Sequence, residues 1–263
     1  MPEKSVPDNA LCLSHNNVEE HKSANRSCVP PAAAAIKRLV MDFQKHPSAQ
    51  LSSLFSSKPW QGQNPGLARV IILSSDANYA PEISNHPFFQ YILEYQRDGV
   101  SFWKKYGVHH PFLLDSFPFN KTGHGRPYHN NIRKLGLNAS YADKISFLEL
   151  LDIPTIGNKS EDRKQFYSLV SGQHLRSIDN LIKNDSGRLF LVPGGVLEDM
   201  LYLKKRYPVF PWLTSIENEY SINSNRIIKI YHFSSSHIHR QLTDIRTTID
   251  MWIKNRSIAS PEQ

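Results

Sequence analysis

Four short apolar runs, each about a strand long, recur along the chain with helical patterns between them. They are Arg69-Val70-Ile71-Ile72-Leu73-Ser74, Ile145-Ser146-Phe147-Leu148-Glu149-Leu150, Arg188-Leu189-Phe190-Leu191-Val192-Pro193 and Arg226-Ile227-Ile228-Lys229-Ile230-Tyr231. Near-continuous β-branched and aromatic runs, without polar alternation, suit strands buried on both faces, as in parallel sheets. The intervening stretches carry the helical period over roughly 88–106 (with Gly99 as a break), 161–183, 195–205 and a last segment through Ile238, Leu242, Ile245, Ile249 and Trp252. Strand alternating with helix implies βαβ units. The expected fold is an α/β three-layer sandwich with a central, mostly parallel four-stranded sheet flanked by helices. It occupies a single domain over 33–263, opening on a helix through Ile36, Leu39, Val40 and Phe43, and residues 1–32, polar and without apolar period, read as a disordered leader.

Length and composition narrow the function classes only modestly. The 263 residues are 40% hydrophobic, enough for a sizeable core, and the net charge of +7 favours polyanionic partners or anionic membranes. Only Cys12 and Cys28 are present, which excludes a four-thiolate iron–sulfur cluster within one chain and argues against a disulfide framework. No apolar run approaches the roughly 20 residues of a membrane span. The start of the chain lacks the apolar core of a secretion signal. An intracellular protein of the cytoplasm or nucleus, acting as a monomer, is the expectation.

The ends of the strands carry the chemistry. The first run stops in Ser75-Asp76-Ala77-Asn78-Tyr79 and the fourth in His232-Phe233-Ser234-Ser235-Ser236. Ligands of open α/β sheets bind beyond the carboxyl ends of the strands, so Asp76 and His232 form a candidate catalytic pair. Each also has a plainer reading: Asp followed by Asn is turn chemistry, and a strand-end histidine is readily satisfied by backbone groups.

Four segments in order resemble the uracil-DNA glycosylase superfamily, nearest in pattern to its mismatch-specific branch, over roughly residues 68–255. Asp76-Ala77-Asn78-Tyr79 resembles the first active-site motif, Phe102-Trp103 an aromatic pair in the following helix, Leu150-Leu151-Asp152-Ile153-Pro154-Thr155 the segment after the second strand, and His232-Phe233-Ser234 the second motif. The chain departs from that pattern. Ala77 and Phe233 stand where proline is usual, Ser74-Ser75 replaces a glycine-containing turn, His237 falls where serine is frequent, and Glu149 sits near an asparagine that reads the base edge. The resemblance implies a monofunctional DNA glycosylase that hydrolyses the bond between deoxyribose and an altered, uracil-like base.

In that reading Asp76 orients water and supports a cationic sugar, while His232 stabilises the departing base. Asn78, Tyr79, Phe88, Phe89 and Glu149 contact the extruded base, with Phe88 or Phe89 stacking on it. Ser234, Ser235, Ser236, His237 and Arg240 meet the DNA, and Ser-rich segments equally cap helices. An ionised Glu149 accepts from a base N–H but repels the neighbouring carbonyl, unless burial protonates it. Lys121, Arg126, Arg133 and Lys134 with Tyr128 and His129 suggest a basic, aromatic surface. No metal or organic cofactor is called for, and no lysine is placed for Schiff-base chemistry. Two alternatives stand beside this reading. One is a non-catalytic nucleic-acid-binding member of the same fold. The other is a metal-dependent hydrolase built on His232, His237 and His239 with Asp76, or on His124 and His129.

Overall fold

A computed structural model describes residues 42–119, 125–184, 187–214 and 226–254. The expected leader, the helix before Phe43, both cysteines, Lys121 and His124 lie outside the described residues.

Described in chain order, the strands are β1 (Gln44–Lys45), β2 (Trp60–Gly62), β3 (Val70–Ser74), β4 (Ala77–Asn78), β5 (Ile145–Glu149), β6 (Pro154–Ile156), β7 (Leu189–Pro193) and β8 (Ile227–Ile230). The helices are α1 (Ala49–Ser57), α2 (Phe89–Arg97), α3 (Gly99–Tyr106), α4 (Arg126–Arg133), α5 (Arg163–Ser168), α6 (Gly172–Asn184), α7 (Gly194–Lys204) and α8 (Leu242–Lys254). The main sheet has the order β2-β5-β3-β7-β8; β5, β3, β7 and β8 run parallel and β2 pairs antiparallel at the edge. The four expected strands are thus the parallel body of a five-stranded sheet. The fifth, Trp60–Gly62, is too short for a periodic signal. A second, three-stranded sheet, β1-β6-β4, sits beyond the end of β3.

The three layers follow from side-chain alternation along each strand. Ile71 and Leu73 of β3 join Phe190 and Val192 of β7 under α5, α6 and α7. Val70 and Ile72 join Leu189 and Leu191 under α3, α4 and α8. The parallel strands are buried on both faces, which is why their sequences are uniformly apolar. A separate cluster of Leu51, Phe55, Tyr79, Phe88, Phe89, Ile92 and Phe112 packs α1 and α2 against the segment after β3.

Local chemistry explains where elements differ from the periodic pattern. The break expected at Gly99 falls at Asp98, whose backbone N–H closes α2 on Glu94 and whose carboxylate accepts from Ser101 N–H at 2.9 Å to open α3. Gly99 is needed for a different reason, since a Cβ there would lie 2.6 Å from the backbone nitrogen of Gly62. The long helix expected over 161–183 is two helices, because Asp162 caps α5 and the Ser171 hydroxyl accepts from His174 N–H to start α6. Between α3 and β5 the chain adds α4 over Arg126–Arg133, with proline in its first turn. Gly194-Gly195 opens α7 directly from the last residue of β7.

Candidate active site

Neighbouring parallel strands place the first two acidic groups. Ser74 of β3 pairs in register with Glu149 of β5, and Asp76 follows Ser74 by two residues. Ile145, Phe147 and Glu149 share one face of β5, the face toward α4, while Leu148 points to the other layer. Ser74, Asp76, Phe147 and Glu149 all line a cavity of about 550 Å3 that also receives His232 and Ser234 from the end of β8. The expected catalytic pair therefore shares one crevice at the carboxyl ends of the sheet.

Asp76 is half-buried and held from one side. Thr155 Oγ1 donates to its Oδ2 at 2.7 Å and Asn78 Nδ2 approaches the same oxygen at 3.4 Å. Burial raises its pKa, and the Thr155 hydroxyl, the Lys159 charge and Asn78 pull it back toward ionisation. Asn78 is exposed and spends its amide on the Gly157 carbonyl at 2.8 Å as well as on Thr155 and Asp76. Its visible role is to join β4 to the loop after β6. Gly157 takes a left-handed φ of 82° there.

Glu149 is the more unusual acid. It is 4% exposed. Its Oε1 accepts from the Ser74 hydroxyl at 3.4 Å, and its Oε2 is buried without a hydrogen-bond partner. Desolvation, then the Asp76 carboxylate, pushes its pKa up to about 8. At neutral pH this side chain is a carboxylic acid, with one O–H to donate and oxygens to accept.

His232 brings the opposite chemistry. The backbone N–H of Ser234 donates to Nδ1 at 3.1 Å, so the neutral ring carries its proton on Nε2. Desolvation on its packed side, then the positive Lys159, lowers its pKa, although part of the ring is open to solvent. Tyr128 packs against it with ring centroids 5.3 Å apart. A neutral N–H donor facing a cavity suits a group that becomes anionic.

The aromatic wall differs from the expected one. Phe88 and Phe89 do not line the cavity; Phe88 packs on Phe117 and Tyr91 within the cluster beneath it. They open α2, and the apolar side of that helix carries them into the core. Tyr79, Phe112, Tyr128, Phe147, His110 and His129 form the wall instead. Tyr79 is buried as well, with its hydroxyl accepting from Gln61 Nε2 at 2.8 Å. His110 and His129 stack 3.6 Å apart and nearly parallel, and His109 Nε2 lies 3.3 Å from His129 Nδ1. Burial holds all three neutral, with His109 lowered to about 3.

The expected basic surface is divided by the same packing. Arg126 is buried over the Phe117 ring, Tyr128 and His129 turn to the cavity, and Arg133 and Lys134 remain outside.

Sequence reasoning missed a cationic edge. Gly157, Asn158, Lys159 and Ser160 line the cavity beside Gly195 and Val196 at the start of α7. Lys159 Nζ donates to Ser75 Oγ at 2.7 Å and pairs with Asp199. Asp199 has no exposed surface and also accepts from Ser75, from Arg163 at 2.9 Å and from the Tyr167 hydroxyl at 2.9 Å. One buried carboxylate thus ties the β3 end, the 157–163 loop and α7 together. Lys159 thus reaches the cavity with its ammonium held in an ion pair.

Of the residues expected to meet DNA, Ser234 lines the cavity and the others flank it. Ser235 caps a short 3-10 helix (Ser236–Arg240) by accepting from His237 N–H at 3.2 Å, as the capping alternative has it. Ser236, His237 and Arg240 are exposed on that turn, and the His237 ring rests against Tyr231. Among the described residues no group of three or more His, Cys, Asp or Glu side chains gathers to hold a metal ion, which leaves the hydrolase alternative without a centre there. No helix among them is long and apolar enough to cross a membrane.

Fold and site together define an α/β sandwich with an acid-and-histidine cavity at the carboxyl edge of its parallel strands. Comparison of the chain with protein-family models, with curated proteins and with solved structures finds no match.

Proposed function

We propose that the protein is a monofunctional DNA glycosylase, acting as a monomer inside the cell on an altered base extruded from the DNA stack. The observation that carries this reading is the convergence of Asp76 and His232 on one aromatic-walled cavity. N-glycosidic hydrolysis passes through a cationic sugar and an electron-rich leaving base. A carboxylate beside the sugar supports the first and can orient water. A neutral histidine N–H supports the second. The volume of about 550 Å3 admits a base with its sugar. Exposed Ser236, His237 and Arg240 beside the mouth suit phosphate contact.

The test is release of free base from oligonucleotides carrying uracil, hypoxanthine, xanthine or an oxidised pyrimidine, single- and double-stranded. Asp76→Asn and His232→Ala are each expected to slow release by roughly 10²–10³-fold. DNA binding that survives both variants, with no release by the parent, would favour the non-catalytic alternative.

A further inference from the structure

Beyond contact with the base Glu149 has no part in the reaction so far, although it is the more deeply buried of the cavity's two acids Asp76 and Glu149. It sits at the end of β5, in register with Ser74, and shares the cavity with Asp76. Its Oε2 is buried without any partner in a protein where the other acid of the same cavity has two. An orphaned buried carboxyl oxygen is costly to keep unless something binds it. The groups that face it are Asp76 and Tyr79 from the segment after β3, Tyr95 from α2, Tyr128 from α4, and His174 of α6, which bonds its main-chain carbonyl at 2.8 Å. The charged group acting on it is a second carboxylate.

We propose that Glu149 is the general acid of this site, passing its carboxyl proton to the departing base while Asp76 receives one from the attacking water. The inference rests on the glycosylase reading. The bond from C1′ to the base nitrogen breaks with its electron pair going to the base, which takes the Glu149 proton on a ring nitrogen or carbonyl oxygen. Water adds its oxygen to C1′ and yields a proton to Asp76. The products are neutral free base and an abasic sugar with a C1′ hydroxyl. Solvent then returns a proton to Glu149 and removes one from Asp76, so no oxidant, reductant or cofactor enters.

The surroundings separate the two acids by role. Burial raises the pKa of both acids, but Thr155, Lys159 and Asn78 pull Asp76 back toward its charged form, whereas Glu149 has the Ser74 hydroxyl at 3.4 Å and a like charge nearby. Paired acids that their environments favour to unequal degrees as charged groups mark acid and base. A proton donor matters most for a base that leaves poorly as an anion. The substrate class this favours is therefore a purine or amino-substituted base, rather than one whose anion is already stable.

Single-turnover release by the full chain and by Glu149→Gln tests the assignment. The probes are oligonucleotides bearing 5-fluorouracil, uracil, hypoxanthine or adenine, whose departing bases differ in acidity. General acid catalysis predicts a loss in E149Q of roughly 10²–10⁴-fold for the least acidic bases, shrinking toward parity for 5-fluorouracil. It also predicts that release by the parent declines above about pH 8 and that this limb is absent in E149Q. An equal loss on every base, with the limb unchanged, overturns the proton-donor role and leaves the glycosylase reading standing. No release of any base by the parent overturns the glycosylase reading and the assignment with it. E149Q preserves side-chain volume, and its circular dichroism spectrum confirms folding before rates are compared.

Discussion

Replacing Glu149 with glutamine is expected to change how stability depends on pH, apart from any effect on catalysis. The carboxyl is raised to about 8 in the folded chain from an ordinary value of 4.5. The folded state therefore binds this proton more tightly than the unfolded one, and the stability it confers is complete below 4.5. That stability is lost as pH rises and is exhausted above about 8. At about 1.4 kcal/mol per pH unit, the loss between pH 5 and 8 is roughly 3.5 kcal/mol. Glutamine fills the same space and titrates nowhere in the range, so E149Q lacks this slope, and titrating groups that do not act on Glu149 cancel in the difference. The assay is urea unfolding of both proteins at half-unit steps from pH 5 to 8.5. The gap between the two stabilities should widen by a few kcal/mol in favour of E149Q as pH rises. Parallel curves would show that Glu149 ionises normally and would refute the reasoning from burial.

Three further outcomes follow from the packing. The neutral cluster of His109, His110 and His129 has pKa values below the ordinary 6.5, so its stability is present above 6.5 and lost as pH falls, by roughly 2 kcal/mol at pH 5 for His109, which burial lowers to about 3. His109→Phe should flatten that acid limb in thermal melts. Phe88→Ala should cost about 3–5 kcal/mol as a core truncation while leaving the single-turnover rate of the folded protein unchanged, since Phe88 lies outside the cavity; a collapse in rate without loss of stability would return it to a stacking role. Asp199→Ala removes a buried carboxylate that pairs with Lys159 and Arg163, at an expected cost of about 3–5 kcal/mol, read as a fall in the denaturant midpoint.

How much of this was legible in the sequence depends on the range of the interaction concerned. The parallel strands were readable because burial on both faces leaves uninterrupted apolar runs, as in Val70–Leu73 and Leu189–Val192. Asp76 and His232 were readable because strand ends in such sheets converge whatever the loops do. The edge strand Trp60–Gly62 left no trace, since three residues are too few for a period. Phe88 and Phe89 misled because spacing from Asp76 does not reveal which way a helix start turns. Lys159 and Asp199 lie 40 residues apart and meet only through the turn from β7 into α7. Glu149 was visible as an anomaly, but its protonation depends on Asp76 and Ser74 across the strand ladder, which no local pattern records.

The central claim is that the Asp76–His232 cavity hydrolyses a base from DNA, and the most direct measurement is chromatographic detection of free base from lesion-bearing oligonucleotides. The account predicts base release and an abasic strand with the parent protein, and a drop of roughly 10²–10³-fold with Asp76→Asn. Undiminished release by the Asp76→Asn protein, or none by the folded parent on any of the altered bases, would contradict it.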